Sequence, residues 1–186
     1  NFKSLIKANT KAIVCMHASN VFGCVFPIKE IGKLAHDNGI IFIVDAAQSA
    51  GVLDIDADRD NIDILCTPGH KGLYAPMGSG FIAVGDGITL DTIIEGGTGS
   101  MSMILSQPKD LPDRLESGTL NNVAICGLAA GIDFVNSKKI DNIYNHEKSL
   151  MNMVYKEMSK NENVTLYTPD FKDAFSAPIL SFNFKD

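Results

Sequence analysis

The sequence predicts an α/β fold, a mainly parallel sheet with flanking helices, and three observations carry that expectation. The run at 40–44, five apolar and mostly β-branched residues, is too short for a buried helix and reads as a fully buried strand ending at Asp45. A second run, at 62–66, ends in a Pro-Gly turn that delivers His70 and Lys71. Between a first strand at 11–16 and the run at 40–44, Pro27 and Gly39 bracket a helix, one at its first position and one just past its end. Strand, helix and strand then form a right-handed βαβ unit.

Each element follows from its own residues. The strand KAIVCM leads into His17, Ala18, Ser19 and Asn20. In the helix at 27–38, Ile28, Ile31, Leu34 and Ala35 share one face, with His36 on or beside the polar side. The acidic stretch carrying Asp54, Asp56, Asp58 and Asp60 invites a calcium reading. Counted from Asp54, however, the EF-hand positions for glycine and glutamate hold Arg59 and Leu65, so a solvated acidic loop is expected and no metal. GFIAV at 80–84 reads as another strand, and the stretch from Glu95 to Asn121 lacks regular periodicity, a length of loop that is usually functional or disordered. Apolar residues at 125, 128, 129, 132 and 135 predict a helix over 121–136, with Cys126 packed beside that face. A second helix over 140–159 carries Ile143, Leu150, Met151, Val154 and Met158, its methionines read as core filler. VTLYT and PILSFNF then read as two strands.

A chain of 186 residues holds one good-sized domain, and 45% hydrophobic with 20% charged residues is ordinary for a globular protein. A net charge of −6 without any basic block argues against a nucleic-acid surface and leaves small molecules or proteins as partners. The cysteines at 15, 24, 66 and 126 form no C-x-x-C pair and read as reduced, buried thiols of a cytoplasmic protein. No run reaches membrane-spanning length. Both ends read as cut: no Met opens the chain, and Asp186 follows directly on a strand-like run. The middle of a longer protein is expected.

Ligands of open parallel sheets bind outside the carboxyl ends of the strands, so Asp45, Gln48, His70 and Lys71 should face one crevice. An acid, an amide, an imidazole and an amine suit a pyridine aldehyde: the lysine supplies an imine, and the carboxylate keeps the ring nitrogen protonated. Each residue also has a plainer reading. Asp45 could cap a turn, Lys71 could be a surface lysine, and His70 could bond turn backbone. No G-x-x-x-x-G-K-[ST] or G-x-G-x-x-G follows a strand, which argues against nucleotide-binding α/β folds.

D-A-A-Q-S-A-G at 45–51 and G-H-K-G-L-Y-A-P-M-G-S-G at 69–80, about one βα unit apart, resemble the core of the class V aminotransferases, particularly the cysteine desulfurase branch. The similarity extends over nearly the whole chain. It implies pyridoxal 5′-phosphate as cofactor, part of its large binding domain over 1–136 with a single antiparallel strand at 80–84, and a connecting helix plus the beginning of a small C-terminal α+β domain over 137–186. It implies Lys71 as the Schiff-base lysine and proton shuttle, Asp45 as partner of the pyridinium, Gln48 as donor to the phenolic oxygen and His70 beside the phosphate. HASNVFG resembles H-x-S-N-x-x-G, which would set Asn20 near the ring and substrate, although asparagine is also a common turn former. Many relatives carry Ser or Thr three residues before the lysine to bind phosphate. Here Pro68 stands there and Thr67 is one place early.

G-G-T-G-S at 96–100 and R-x-E-x-G-T-x-N at 114–121 also resemble the family. Thr119 of the second would reach the cofactor phosphate of another subunit, which implies a homodimer with shared active sites; Gly97 and Thr98 are candidates for the same crossing. The implied activity takes sulfur from L-cysteine to give alanine and an enzyme persulfide, with a sulfur-acceptor protein as a further partner. Transamination or epimerisation of another amino acid, and a non-catalytic fragment with only an association role, are the alternatives. The resemblance puts the persulfide cysteine and the arginine for the substrate carboxylate beyond Asp186, and the phosphate loop before Asn1. The segment alone is therefore expected to be inactive.

Overall fold

The computed structural model describes residues 2–101, 103–168, 170 and 176–185. Asn1 and Asp186, on which the reading of a cut chain rests, lie outside the described residues. In chain order the elements are β1 (Ala12–Met16), α1 (Ile28–Asp37), β2 (Ile41–Asp45), β3 (Ile64–Pro68), β4 (Gly80–Val84), α2 (Asn122–Lys138), α3 (Ile140–Met158), β5 (Val164–Leu166) and β6 (Phe182–Phe184), with a 3-10 turn at Phe2–Leu5. The first four strands form one sheet in the order β1-β2-β3-β4, and β5 pairs with β6 in a separate antiparallel sheet. β1, β2 and β3 run parallel, and β4 is antiparallel to β3, as expected. Met16 pairs with Asp45 and Asp45 with Cys66, so the parallel strands end at one height.

The principal core lies between this sheet and α1. Ile13, Cys15, Phe42 and Val44 point from the strands onto Ile28, Ile31 and Ala35 of the helix. Gly32 is buried on the same face because a Cβ there would come within 2.0 Å of the Asp60 carbonyl oxygen, while Leu34 is only half-buried. β2 is not the fully buried strand its composition suggests. Phe42 and Val44 are sealed, but Ile41 on the other face is exposed, as are Val14 and Met16 of β1. Among the described residues α1 packs on one face of β1 and β2, and burial follows that coverage.

Four further expectations are corrected. Asp60 is not solvated: it is 2% exposed, accepts from Arg59 Nε and Nη2 at 2.9 and 2.8 Å, and takes the Asp56 N–H at 3.1 Å. An adjacent guanidinium makes that burial affordable. α2 buries Ala124, Leu128, Gly131 and Val135 and exposes Ile125 and Cys126, a face turned away from the apolar count. The helix rides on the backbone of 73–76, where a Cβ at Gly131 would meet the Leu73 oxygen at 2.0 Å, so small residues select the contact face. On α3 only Ile143 is buried; Leu150, Met153 and Val154 are exposed, and Met151 and Met158 are half-buried rather than core filler. The four cysteines are unpaired thiols, but only Cys15 is fully buried.

Beyond β3 the chain turns back as a closed hairpin. Gly69 N donates to Ser79 O at 2.8 Å, Ala75 N to Gly69 O at 3.0 Å, and Pro68 pairs with Gly80. From 85 to 121 the described residues form neither helix nor strand. No helix among the described residues is long and apolar enough to cross a membrane.

Candidate active site

Three turns leave the carboxyl ends of β1, β2 and β3 and meet a fourth segment, 176–181. The first turn is closed by Ser19, whose Oγ accepts from the N–H groups of Val21 and Phe22 at 3.2 and 3.1 Å. Asn20 therefore does no bonding in the turn, and its side chain is exposed. Gly23 ends it with φ +69°, close against Ile179, and Gly23 O accepts from Ala177 N at 2.6 Å. Ser181 Oγ also donates to Val21 O.

The second turn starts at Asp45. Its Oδ1 accepts from Ala47 N at 2.8 Å, the capping role open to it from sequence, and its carbonyl accepts from His17 N at 2.9 Å. The other carboxylate oxygen makes no hydrogen bond among the described residues. This turn is locked to the third by backbone contact: Ala46 N donates to Cys66 O at 2.9 Å, and Gly51, at φ +83°, lies against Gly72. A Cβ on Gly51 would stand 2.1 Å from the Gly72 oxygen, and one on Gly72 would stand 2.4 Å from the Ala50 oxygen. Glycine at both positions is what lets the two motif turns touch.

Gln48 and Lys71 line one cavity of about 210 Å3 together with Gly72, Ile179 and Glu147 of α3. Asp45 and Thr67 line a larger one, of about 580 Å3, between the β3–β4 part of the sheet and the loop at 111–116. His70, Asn20 and Thr119 are exposed and line neither. The single crevice expected for Asp45, Gln48, His70 and Lys71 is thus divided among the described residues: Gln48 and Lys71 share one cavity, Asp45 lines another with Thr67 on an adjoining turn, and His70 lines neither. The Thr67 side chain is buried and its hydroxyl donates to main-chain carbonyls, to Pro68 O at 3.3 Å and more weakly to Ala46 O at 3.5 Å. Two neighbours were not singled out from sequence: Ser49, fully buried with an unpartnered Oγ, and Glu147. Neither has a local signal; a serine inside a turn motif and an acid on an amphipathic helix both look ordinary until the chain is folded.

Electrostatically, burial holds the Cys66 thiol above its usual range, and the neighbouring Asp45 carboxylate adds to the effect. His17, at the end of β1, is 5% exposed with Nδ1 unpartnered; burial pulls it below 6.5, and Asp60 partly opposes that. The hydrogen bond from Arg59 keeps the Asp60 carboxyl below 3.8. Both shifts have one sign. The unfolded chain takes up each proton before the folded one does, so stability is complete above the ordinary value and declines as pH falls through it. The urea midpoint of the whole protein is therefore expected to fall in two stages, below about pH 6.5 and again below about pH 4. Each stage should be no steeper than about 1.4 kcal/mol per pH unit. His17→Phe should flatten the first and Asp60→Asn the second; a flat profile between pH 8 and 3 would contradict both assignments.

Comparisons with known proteins place the chain in a family. The Aminotransferase class-V family model matches residues 1–186. A probable cysteine desulfurase of Methanothermobacter thermautotrophicus is 33% identical over 183 residues, covering 96% of this chain and 45% of that protein. A cysteine desulfurase of an Enterobacter species is 34% identical over 185 residues, covering 97% and 44%. The apo structure of a cysteine desulfurase from Thermococcus onnurineus superposes with a TM-score of 0.76 at 32% identity, over 93% of this chain and 44% of that one. A cysteine desulfurase structure from Escherichia coli gives 0.85 at 22% identity, over 98% and 45%, a likeness of fold alone. The chain spans about 45% of the length of the curated relatives it matches. With every residue inside the family model, and a sheet whose three parallel strands and one antiparallel strand match the expected fold, the chain belongs to the class V aminotransferase family.

Proposed function

We propose that this chain is the central part of a pyridoxal phosphate-dependent enzyme that takes sulfur from L-cysteine and leaves alanine. The observation that carries the reading is the glycine-to-glycine lock between the turn bearing Asp45 and Gln48 and the turn bearing His70 and Lys71. It supports one site at the carboxyl ends of β2 and β3, where this fold class binds ligands. The donor set fits the cofactor: a carboxylate with one oxygen uncommitted, an amide, and a lysine without an ion pair. When bound, the cofactor supplies an electron sink.

The chain's own residues then have separable tasks. Asp45, anchored through Oδ1 to Ala47 N, offers its other oxygen to a protonated ring nitrogen. Gln48 would donate to the phenolic oxygen. Lys71 would hold the cofactor through its amine and, when free, would carry a proton on Nζ. His70 and Asn20, both exposed at turn ends, are assigned to the phosphate and to the ring and substrate. Thr67 has the weakest support, because its hydroxyl is already turned to backbone carbonyls.

Thr119 is assigned to the phosphate of a second subunit. The exposed apolar residues Ile93, Met103 and Leu105 on the same long loop support a homodimer interface there. The separate β5–β6 sheet supports reading 137–186 as the connecting helix and the beginning of a smaller domain, and the unpaired thiols support a reducing, cytoplasmic setting.

To test the reading, the whole protein is incubated with pyridoxal 5′-phosphate, reduced with borohydride and mapped by peptide mass spectrometry. A pyridoxyl group on Lys71 is expected, and its absence there removes the cofactor claim. With L-cysteine and an added dithiol reductant, which takes the outer sulfur off the enzyme persulfide as sulfide and is itself oxidised to a disulfide, sulfide and alanine should appear in equal amounts. A keto acid without sulfide would instead assign transamination.

A further inference from the structure

We propose that Glu147 is a positioning residue for Lys71, a carboxylate that shares a cavity with it and draws the lysine ammonium toward the cavity wall. The proposal deepens the reading above and rests on Lys71 being the reactive amine. Glu147 projects from α3 into the wall of the cavity that Gln48, Lys71 and Gly72 line, and it also faces a second cavity, of about 330 Å3, beside Tyr74, Phe134, Lys138 and His146. Its side chain is half-buried and makes neither a hydrogen bond nor an ion pair among the described residues.

A carboxylate drawn out of water without a partner is costly. Burial accordingly raises the Glu147 carboxyl, with His146 opposing the rise. The charged or titratable groups that line its two cavities are Lys71 and Tyr74 from the β3–β4 hairpin, Lys138 from α2 and His146 from its own helix. Lys138 is already engaged, with Nζ 5.6 Å from the centre of the Phe134 ring. Lys71 is exposed and unpaired, on a flexible four-carbon stem that can swing Nζ toward the cavity wall. Of these groups Lys71 alone lines the smaller cavity with Glu147, while His146 and Lys138 line the other.

The test uses the whole protein without cofactor. Lysines are acylated in competition with a reference amine between pH 7 and 11, and Lys71 and Lys138 are quantified by mass spectrometry. Glu147→Gln removes the charge that stabilises the ammonium, so acylation of Lys71 at pH 8 should rise about three- to tenfold, with Lys138 changed less than twofold. Glu147→Asp should retain most of the protection. In the unmodified protein, 1 M salt should raise Lys71 acylation more than that of Lys138, by screening the pair. Superimposable Lys71 profiles, or a change confined to Lys138, would overturn the proposal. Because no cofactor is present, the result is independent of the borohydride mapping: a missing adduct sinks the cofactor reading, and an unchanged profile sinks the role of Glu147.

Discussion

Replacing Lys71 by alanine is expected to lower turnover of the whole enzyme by about 10^3-fold or more while leaving its stability unchanged. The two halves of that expectation have different origins. Structurally the side chain is dispensable: it is exposed and unpaired, and the local hydrogen bond is made by the main chain, Tyr74 N to Lys71 O at 2.9 Å, which alanine keeps. Surface changes of that kind shift stability by less than about 0.5 kcal/mol. Under the proposed role the chemical loss would be double, because the group that holds the cofactor and a proton carrier worth about 10^2- to 10^4-fold would disappear together. Lys71→Arg should fare no better, since a guanidinium does not give up its proton at working pH. Sulfide release and urea midpoints measured side by side decide the matter, and a Lys71→Ala enzyme retaining a tenth of its turnover would exclude the assigned role.

The second large effect is expected at Gly51. Valine there would place a Cβ within 2.1 Å of the Gly72 oxygen on a backbone held at φ +83°. Overpacking costs about 1–3 kcal/mol and the left-handed conformation a further 1–2 kcal/mol for a residue with a side chain, so Gly51→Val should lose about 4 kcal/mol. Gly87 separates the two contributions: its φ is +81°, yet a Cβ would meet nothing within 4 Å. Gly87→Ala should therefore cost only about 1–2 kcal/mol. If the two substitutions prove equally mild, the contact between the turns is not what holds them together. If Gly51→Val is severe, cofactor binding should weaken with it, because Gln48 and Lys71 lie on opposite sides of that contact.

Much of this architecture is legible in the residues. Short β-branched runs, a proline-to-glycine bracket and turn motifs at strand ends announce β1, α1, β2, β3 and β4 because those signals are local. One-sided burial of β2 is not local: Ile41 is as apolar as Val44, and only the position of α1 decides which is sealed. The apolar count found only half of the α2 contact face, Leu128 and Val135, because Ala124 and Gly131 are selected for smallness against the 73–76 backbone, not for hydrophobicity. Asp60 read as solvated because the guanidinium that neutralises it belongs to the next residue. At the site, Asp45, Gln48 and Lys71 stand out through their motifs, whereas Glu147 is distant in sequence and comes to share a cavity with Lys71 only through the placement of α3.

The hairpin that carries Lys71 has a dynamic consequence. Its two feet are stitched together where the chain leaves β3 and enters β4, so the Cα of the lysine is anchored to the sheet like a hook on a closed handle. Reorienting the amine then requires only rotation about side-chain bonds, on a timescale of about picoseconds to nanoseconds, with the main chain at rest.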